Sequence, residues 1–317
     1  MSTQPLSDTA FDYGCEHFGQ LTRVLLHRPG RALTLVNAEN CHDWLFDFAP
    51  DAVRFAEEHD RYRELLTDLG IQVYELSDFL DDGIEDVDRL PNLTYMHDIA
   101  VVSSRGAILS RMATPARQGE ERVVREALCR IGVPILSEFD DPTDAFEGCL
   151  LLSPETLLVA DTERHHRATI ERFIPEALRH FREVLYVEIP KARRYMHPDT
   201  IYNRVDCDLA LAYLPAFRST VLHTADGARE VDFAEYMQRK GVEIVCVSDS
   251  EQRRLACSFV PLAPRVVIHY DTALDRSTRR ELARRGVELI LFHPDALVAG
   301  GGSLRCLTLR LRREPVG

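Results

Sequence analysis

Short apolar, β-branched runs alternate along the chain with longer stretches whose apolar positions recur every three or four residues. The runs read as strands are LTRVLLH (21–27), IQVYEL (71–76), DIAVVSS (98–104), CLLLS (149–153), TLLVA (156–160), VLYVEI (184–189), DLALAYL (208–214), EIVCVS (243–248), RVVIHY (265–270) and VELILF (287–292). Between them, DAVRFAEEHDRYRELLTDLG, GEERVVREALCRIG, ERHHRATIERFIPEAL, FAEYMQRKG and STRRELARRG carry helical spacing and end at glycine or break at proline. A charged helix, a glycine and an apolar strand follow one another in LLTDLGIQVYEL, LCRIGVPIL, YMQRKGVEIVCV and LARRGVELILF. The recurrence predicts repeated α/β units, although glycine is the ordinary exit from any helix that feeds a strand.

No low-complexity tract or Pro/Gly/Ser linker divides the 317 residues, so we read residues 1–317 as one domain, and 45% hydrophobic content is ample for its core. The net charge of -13 argues against a nucleic-acid partner, which needs clustered Lys and Arg, and is compatible with a small cationic substrate. The N-terminus lacks a basic segment followed by an apolar one, and no apolar run approaches the roughly 18 residues of a membrane span. The eight cysteines are scattered without a CxxC pair. The expectation is a reduced cytoplasmic protein with no membrane and no metal. Neither GxGxxG nor GxxxxGK[ST] occurs where a nucleotide fold needs it, so no cofactor is expected.

Four segments carry candidate chemistry. In YMHPDTIYN, His197 and Asp199 are two residues apart and would face one side of an extended segment. That pairing suits a general base, a pair of metal ligands or an incidental loop contact. Asp98 in TYMHDIAV and Glu147 in FEGCLLL stand at loop-to-strand junctions, where solvated carboxylates are also common. Cys306 follows three glycines in AGGGSLRCLT; a lone cysteine is usually a buried hydrophobe, yet glycines before it let a ligand approach closely. Together the four are more coherent than apart. Cysteine with histidine is a nucleophilic pair, and added carboxylates suit a cationic substrate such as a planar guanidinium, which pairs bidentately with them.

In this order the residues resemble the arginine deiminase branch of the guanidino-modifying enzymes, over nearly the whole chain. LTRVLLHRPGRALTLVNAENCHDWLFD is similar to the family's opening, PNLTYMHDIAV to its N-x-x-x-x-R-D segment, and FEGCLLL to its EGGD turn. MHPDT resembles MHLDT, and GGGSLRCLT resembles RGGxxCMT. The resemblance implies Cys306 as nucleophile, His197 as general acid/base, and Asp98, Glu147 and Asp199 as guanidinium ligands, with Glu147 assisting proton transfer. It also implies that Asn92, Arg117 and Arg164 hold the substrate's amino-acid end. The implied fold is α/β, the five-bladed α/β propeller (pentein fold) of pseudo-fivefold ββαβ repeats. A homo-oligomer is compatible with it.

The implied reaction is hydrolysis of L-arginine to L-citrulline and ammonia through a covalent thiouronium. Four rivals share the site type: an amidinotransferase, an arginine dihydrolase giving ornithine, a methylarginine hydrolase and a silent arginine-binding module. A metal-dependent hydrolase is the outsider. Departures from the family pattern fall mostly at the substrate's far end. His97 replaces an arginine, Cys149 and Leu150 replace the second Gly and the Asp of EGGD, and Gly301 replaces a substrate-binding arginine.

Overall fold

The computed structural model describes residues 11–81 and 85–315. Strand β1 (Leu21–Leu26) is joined through helix α1 (Ala52–Asp68) to β2 (Gln72–Glu75), parallel to β1. Next, β3 (Ala100–Ser103) and β4 (Gly106–Leu109) form a hairpin, and α2 (Glu120–Ile131) carries the chain to β5 (Ile135–Ser137), parallel to β4. The pattern repeats in β6 (Leu150–Ser153), β7 (Thr156–Asp161), α3 (Arg167–Ala177) and β8 (Glu183–Glu188). It repeats again in β9 (Tyr202–Asp206) and β10 (Leu209–Ala212), where an inserted hairpin, β11 (Ser219–Thr224) and β12 (Gly227–Glu230), extends the previous sheet beyond β8. Then α4 (Phe233–Arg239) leads to β13 (Glu243–Cys246), parallel to β10. After α5 (Asp249–Arg253), the next unit is β14 (Val260–Ala263), β15 (Val266–Tyr270), α6 (Arg276–Arg284) and β16 (Glu288–Phe292). Finally β17 (Leu309–Arg313) pairs antiparallel with β1. The described residues thus form five separate sheets of a mixed α/β fold, each built on an antiparallel pair with a third strand parallel to one of them.

The recurring glycine is the helix exit in four of these units: Gly70, Gly132, Gly241 and Gly286 all have φ between 73° and 99°, which ends the helix and turns the chain into the parallel strand. Helix α3 leaves through Leu178 in right-handed conformation, with no glycine. A fifth unit is therefore present without the sequence signature. All ten runs read as strands contain one, and the five helical stretches are helices. The sequence reading missed β4, β9, β11, β12, β14 and β17, which are short, begin or break at Gly or Pro, or alternate with arginine as in LRLRR.

The core presses on the segments that matter for chemistry. Val123, Val124, Ala127 and Leu128 of α2 pack in one cluster with Met96 and Ile99, which flank Asp98. Ile170, Phe173 and Ile174 of α3 pack with Phe146, beside Glu147. Glu58 of α1 is buried, and its carboxylate accepts the amides of Asp295, Ala296 and Leu297 at 2.8, 2.5 and 3.1 Å, pinning the chain just before the three glycines. Glu58→Ala leaves these amides unpaired; we expect a loss of about 3 kcal/mol in urea unfolding, whereas surface Glu57→Ala changes stability by less than about 0.5 kcal/mol.

Candidate active site

Three turns bring Asp98, Glu147 and His197 together. Asp98 ends a 3₁₀ turn (Met96–Asp98) ahead of β3, and Glu147 precedes the left-handed Gly148 that starts β6. His197 caps the turn Pro198–Thr200 before β9. Here the structure departs from the sequence reading: proline at the first turn position favours a helical turn, so His197 and Asp199 are not on an extended segment. They converge nonetheless. One ligand atom each of Asp98, His197 and Asp199 lies within 4.8 Å of the others, and all three residues are buried.

His197 stands between two carboxylates. Its Nε2 is 2.9 Å from Glu147 Oε2, and its Nδ1 is 3.2 Å from Asp98 Oδ1. Glu147 also accepts the amide of Ala113 at 2.8 Å. The amide of Glu147 donates to His165 Nε2 at 3.2 Å. Burial keeps His165 neutral by pulling its pKa down to about 4; its Nδ1 lies 2.9 Å from Thr162 Oγ1 and its Nε2 3.3 Å from the Gly148 carbonyl. Burial would raise the Glu147 carboxyl, but the His197 hydrogen bond and charge, with Arg117 and Arg164, outweigh it and hold the pKa near 2. Burial would lower His197, yet Asp98, Glu147 and Asp199 raise it. The imidazole is thereby kept protonated above the usual histidine range.

Cys306 faces the same cavity as Asp98 and His197, a space with about 40 Å³ for the centres of water-sized molecules. Burial pushes the thiol up to about 12, Asp199 and Asp98 add to this, and Ser303 opposes it. With the cavity empty, the thiol is neutral at pH 7. Two residues the sequence reading missed stand behind Cys306. Ser303 Oγ lies 3.4 Å from Cys306 Sγ and donates to Ser258 Oγ at 2.8 Å, while Ser258 donates to Asp199 Oδ2 at 2.6 Å. Ser303 lay in the quoted glycine loop, but serine is too common there to signal a role; Ser258 left no signal.

The glycine loop has its own steric logic. A Cβ on Gly300 would sit 1.8 Å from Tyr95 Oη, and one on Gly302 would sit 2.4 Å from Tyr95 Cε1. The Tyr95 ring occupies the space that larger residues would need. A Cβ on Gly301 would lie 3.2 Å from Arg193 Nη2. Arg193 reaches this spot from KARRYMHPDT, donates to the Leu45 carbonyl at 2.7 Å, pairs with Asp47 at 3.0 Å, and lines the cavity. It was not anticipated, although its position just before MHPDT is visible in the sequence.

Asn92, Arg117 and Arg164 also line the cavity. Asn92 donates to the Trp44 carbonyl at 2.8 Å. The donors of Arg117 are taken by Glu120 at 2.9 Å, Asp98 at 2.9 Å and the Tyr95 carbonyl at 3.0 Å, so in this state it orders Asp98. Arg164 is held more loosely, 3.7 Å from Glu147 and 3.4 Å from Thr114 Oγ1.

The arginine deiminase family model matches residues 85–313, which contain every one of these catalytic-type side chains. The chain belongs to the arginine deiminase family. An arginine deiminase from Streptococcus pyogenes serotype M49 (strain NZ131) is 24% identical over 402 aligned positions, covering 94% of this chain and 97% of that one. An uncharacterized protein, YkgA of Bacillus subtilis (strain 168), is 25% identical, with 93% of each chain covered. Among solved structures, the N-terminal domain of ArgZ, an arginine dihydrolase from the ornithine–ammonia cycle in cyanobacteria, superposes with a TM-score of 0.67 at 19% identity, over 91% of this chain and 96% of that one. DDAH from Pseudomonas aeruginosa, complexed with citrulline, gives 0.67 at 17% over 92% and 99%. AgrE, in complex with ornithine and NAD+, gives 0.69 at 19%, but this chain spans only 40% of its length. This arginine deiminase family member is thus a guanidino-group-modifying enzyme, a hydrolase of amidine C–N bonds of the pentein superfamily. No described helix is long and apolar enough to cross a membrane.

The carboxylate sandwich predicts a titration. In Glu147→Gln, the His197 imidazole loses one of the charges that raise its pKa, so its midpoint, followed by the Cε1 proton in NMR, moves down. A midpoint unchanged or raised would show that Glu147 does not hold the imidazolium.

Proposed function

We propose that this protein hydrolyses the guanidinium of L-arginine to L-citrulline and ammonia, acting as one catalytic domain over residues 1–317. The observation that carries the reading is the shared cavity of Cys306, His197 and Asp98, with Glu147 behind the imidazole and Asp199 tied to the cysteine through two serines. The buried cluster of Asp98, His197 and Asp199 suits a bound cation, and the cation that belongs there is the substrate's guanidinium. The five ββαβ units support a five-bladed α/β propeller with these turns converging on its axis.

The mechanism follows from the charges. Asp98 and Asp199 hold the guanidinium, and its positive charge makes the Cys306 thiol acidic, releasing a proton to water. The thiolate then attacks the guanidinium carbon and forms a C–S bond. His197 gives its proton to the departing nitrogen; the C–N bond breaks, ammonia leaves, and a thiouronium remains on Cys306. Neutral His197 takes a proton from water, the hydroxide adds to the same carbon, and the thiolate departs from the ureido product. Glu147 and Asp98 stabilise the imidazolium that each half-reaction needs.

Arg164 and Arg193 are the cations assigned to the substrate carboxylate, Arg193 standing with its partner Asp47 beside Gly301. The far end remains the point where a dihydrolase or a methylarginine hydrolase could diverge, since all three reactions share the thiouronium.

Product stoichiometry distinguishes these reactions. L-Arginine is expected to give citrulline and ammonia in equal amounts; ornithine with two ammonia would mark a dihydrolase, and no product without an added amine acceptor would mark a transferase. Cys306→Ala and His197→Ala should each lower kcat by at least about 10³-fold. Arg193→Ala should raise KM for L-arginine about tenfold with kcat nearly unchanged, and should leave weak turnover of agmatine, which lacks the carboxylate, unaffected.

A further inference from the structure

A second cavity shares no lining residue with the catalytic one and contains four arginines, Arg204, Arg305, Arg310 and Arg313, with no Asp or Glu among its described lining residues. Arg204 donates to the carbonyls of Leu152, Asp206 and Cys207 and stacks on Phe18, 4.5 Å from the ring centroid. Arg313 donates to the carbonyls of Gly19 and Pro261. Neither of them has a carboxylate partner among the described residues. Arg305 is only 3% exposed; its Nη1 is 3.5 Å from the Phe259 carbonyl and its Nε is 3.5 Å from Asp199. The Nε atoms of Arg305 and Arg310 are buried without a hydrogen-bond partner among the described residues. Arg312 on the same strand likewise has an unpartnered Nε, but its Nη2 pairs with Asp12 and Glu314.

Uncompensated buried charge is among the costliest features a fold can carry. Burial and the neighbouring Arg310 pull Arg305 down to about 9 and Arg313 to about 10. Guanidinium groups hold their protons tenaciously, so the charge persists and calls for a counter-ion. Cys15 lines the cavity but does not supply one: burial pushes its thiol up to about 11 in spite of Arg310 and Arg313. The cavity is narrow, about 30 Å³, enough for a small ion.

We propose that this cavity binds a small monovalent anion of halide size, held by Arg305, Arg310 and Arg313. The site lies against the catalytic wall, because Arg305 precedes Cys306 and faces Asp199. The anion neutralises the cluster on which that wall rests.

The full chain dialysed into sodium gluconate, whose anion is too large for the cavity, is titrated with chloride at constant ionic strength, and its melting temperature is followed. A saturable rise of about 3 °C at chloride tenfold above its Kd is expected. Formate in place of chloride separates the sources; the proposal requires the halide to bind more tightly. In Arg310→Gln the chloride response disappears, and the variant melts in gluconate at or above the wild-type temperature, because one of the crowded positive charges, half-buried and with an unpartnered Nε, has been removed. A merely structural Arg310 would lower that temperature. Chloride NMR line width reads binding independently, broadening with wild type and not with Arg310→Gln. A melting temperature indifferent to chloride, tighter formate binding, or a response retained in Arg310→Gln would each overturn the site. None of these readouts uses turnover, so their outcome is independent of the substrate assignment.

Discussion

The contact between His197 Nε2 and Glu147 Oε2, 2.9 Å long and fully buried, is the interaction on which the rest of the site depends. A histidine in an apolar interior loses its proton, and a carboxylate there gains one. Side by side, each stabilises the charged form of the other. Asp98 on the far side of the ring extends the pair, and Arg117 keeps Asp98 in position. Around this frame the protein supplies unusually complete support: Ala113 and His165 fix the Glu147 segment, and the α2 and α3 clusters pack against residues flanking Asp98 and Glu147.

The same negative charge disfavours the Cys306 thiolate, and in the proposed mechanism a bound cation relieves it. In an apolar pocket beside Asp98 and Asp199, a thiolate is disfavoured. A guanidinium between those carboxylates reverses the sign of the local field at the moment its carbon comes within reach of the sulfur. Reactivity is thus tied to occupancy.

Much of this was legible in the sequence, for particular reasons. Cys306, His197 and Glu147 stand in short segments that a nearby glycine or proline marks, and Asp98 stands at a loop-to-strand junction. Four αβ units were legible because each helix exits through a left-handed glycine. The unit built on α3 was not, since it exits through Leu178, and the short or arginine-alternating strands carry no clear period. The role of Arg117 was legible only by type. Its motif marked an arginine for the substrate's amino-acid end, whereas its three partners come from Tyr95, Asp98 and Glu120 and depend on packing. Ser258 is 48 residues from Cys306, and only folding joins them through Ser303. Arg193 could be recognised only once the space beside Gly301 was seen to be filled from another segment.

The central claim is covalent catalysis by Cys306 on a guanidinium. The most direct measurement is rapid acid quenching of the enzyme during turnover of L-arginine, followed by peptide mapping by mass spectrometry. The account predicts that the peptide containing Cys306 carries the mass of arginine less ammonia, and that the adduct decays as substrate is exhausted. Steady turnover with Cys306 unmodified at every quench time, or an adduct on a different cysteine, would contradict it.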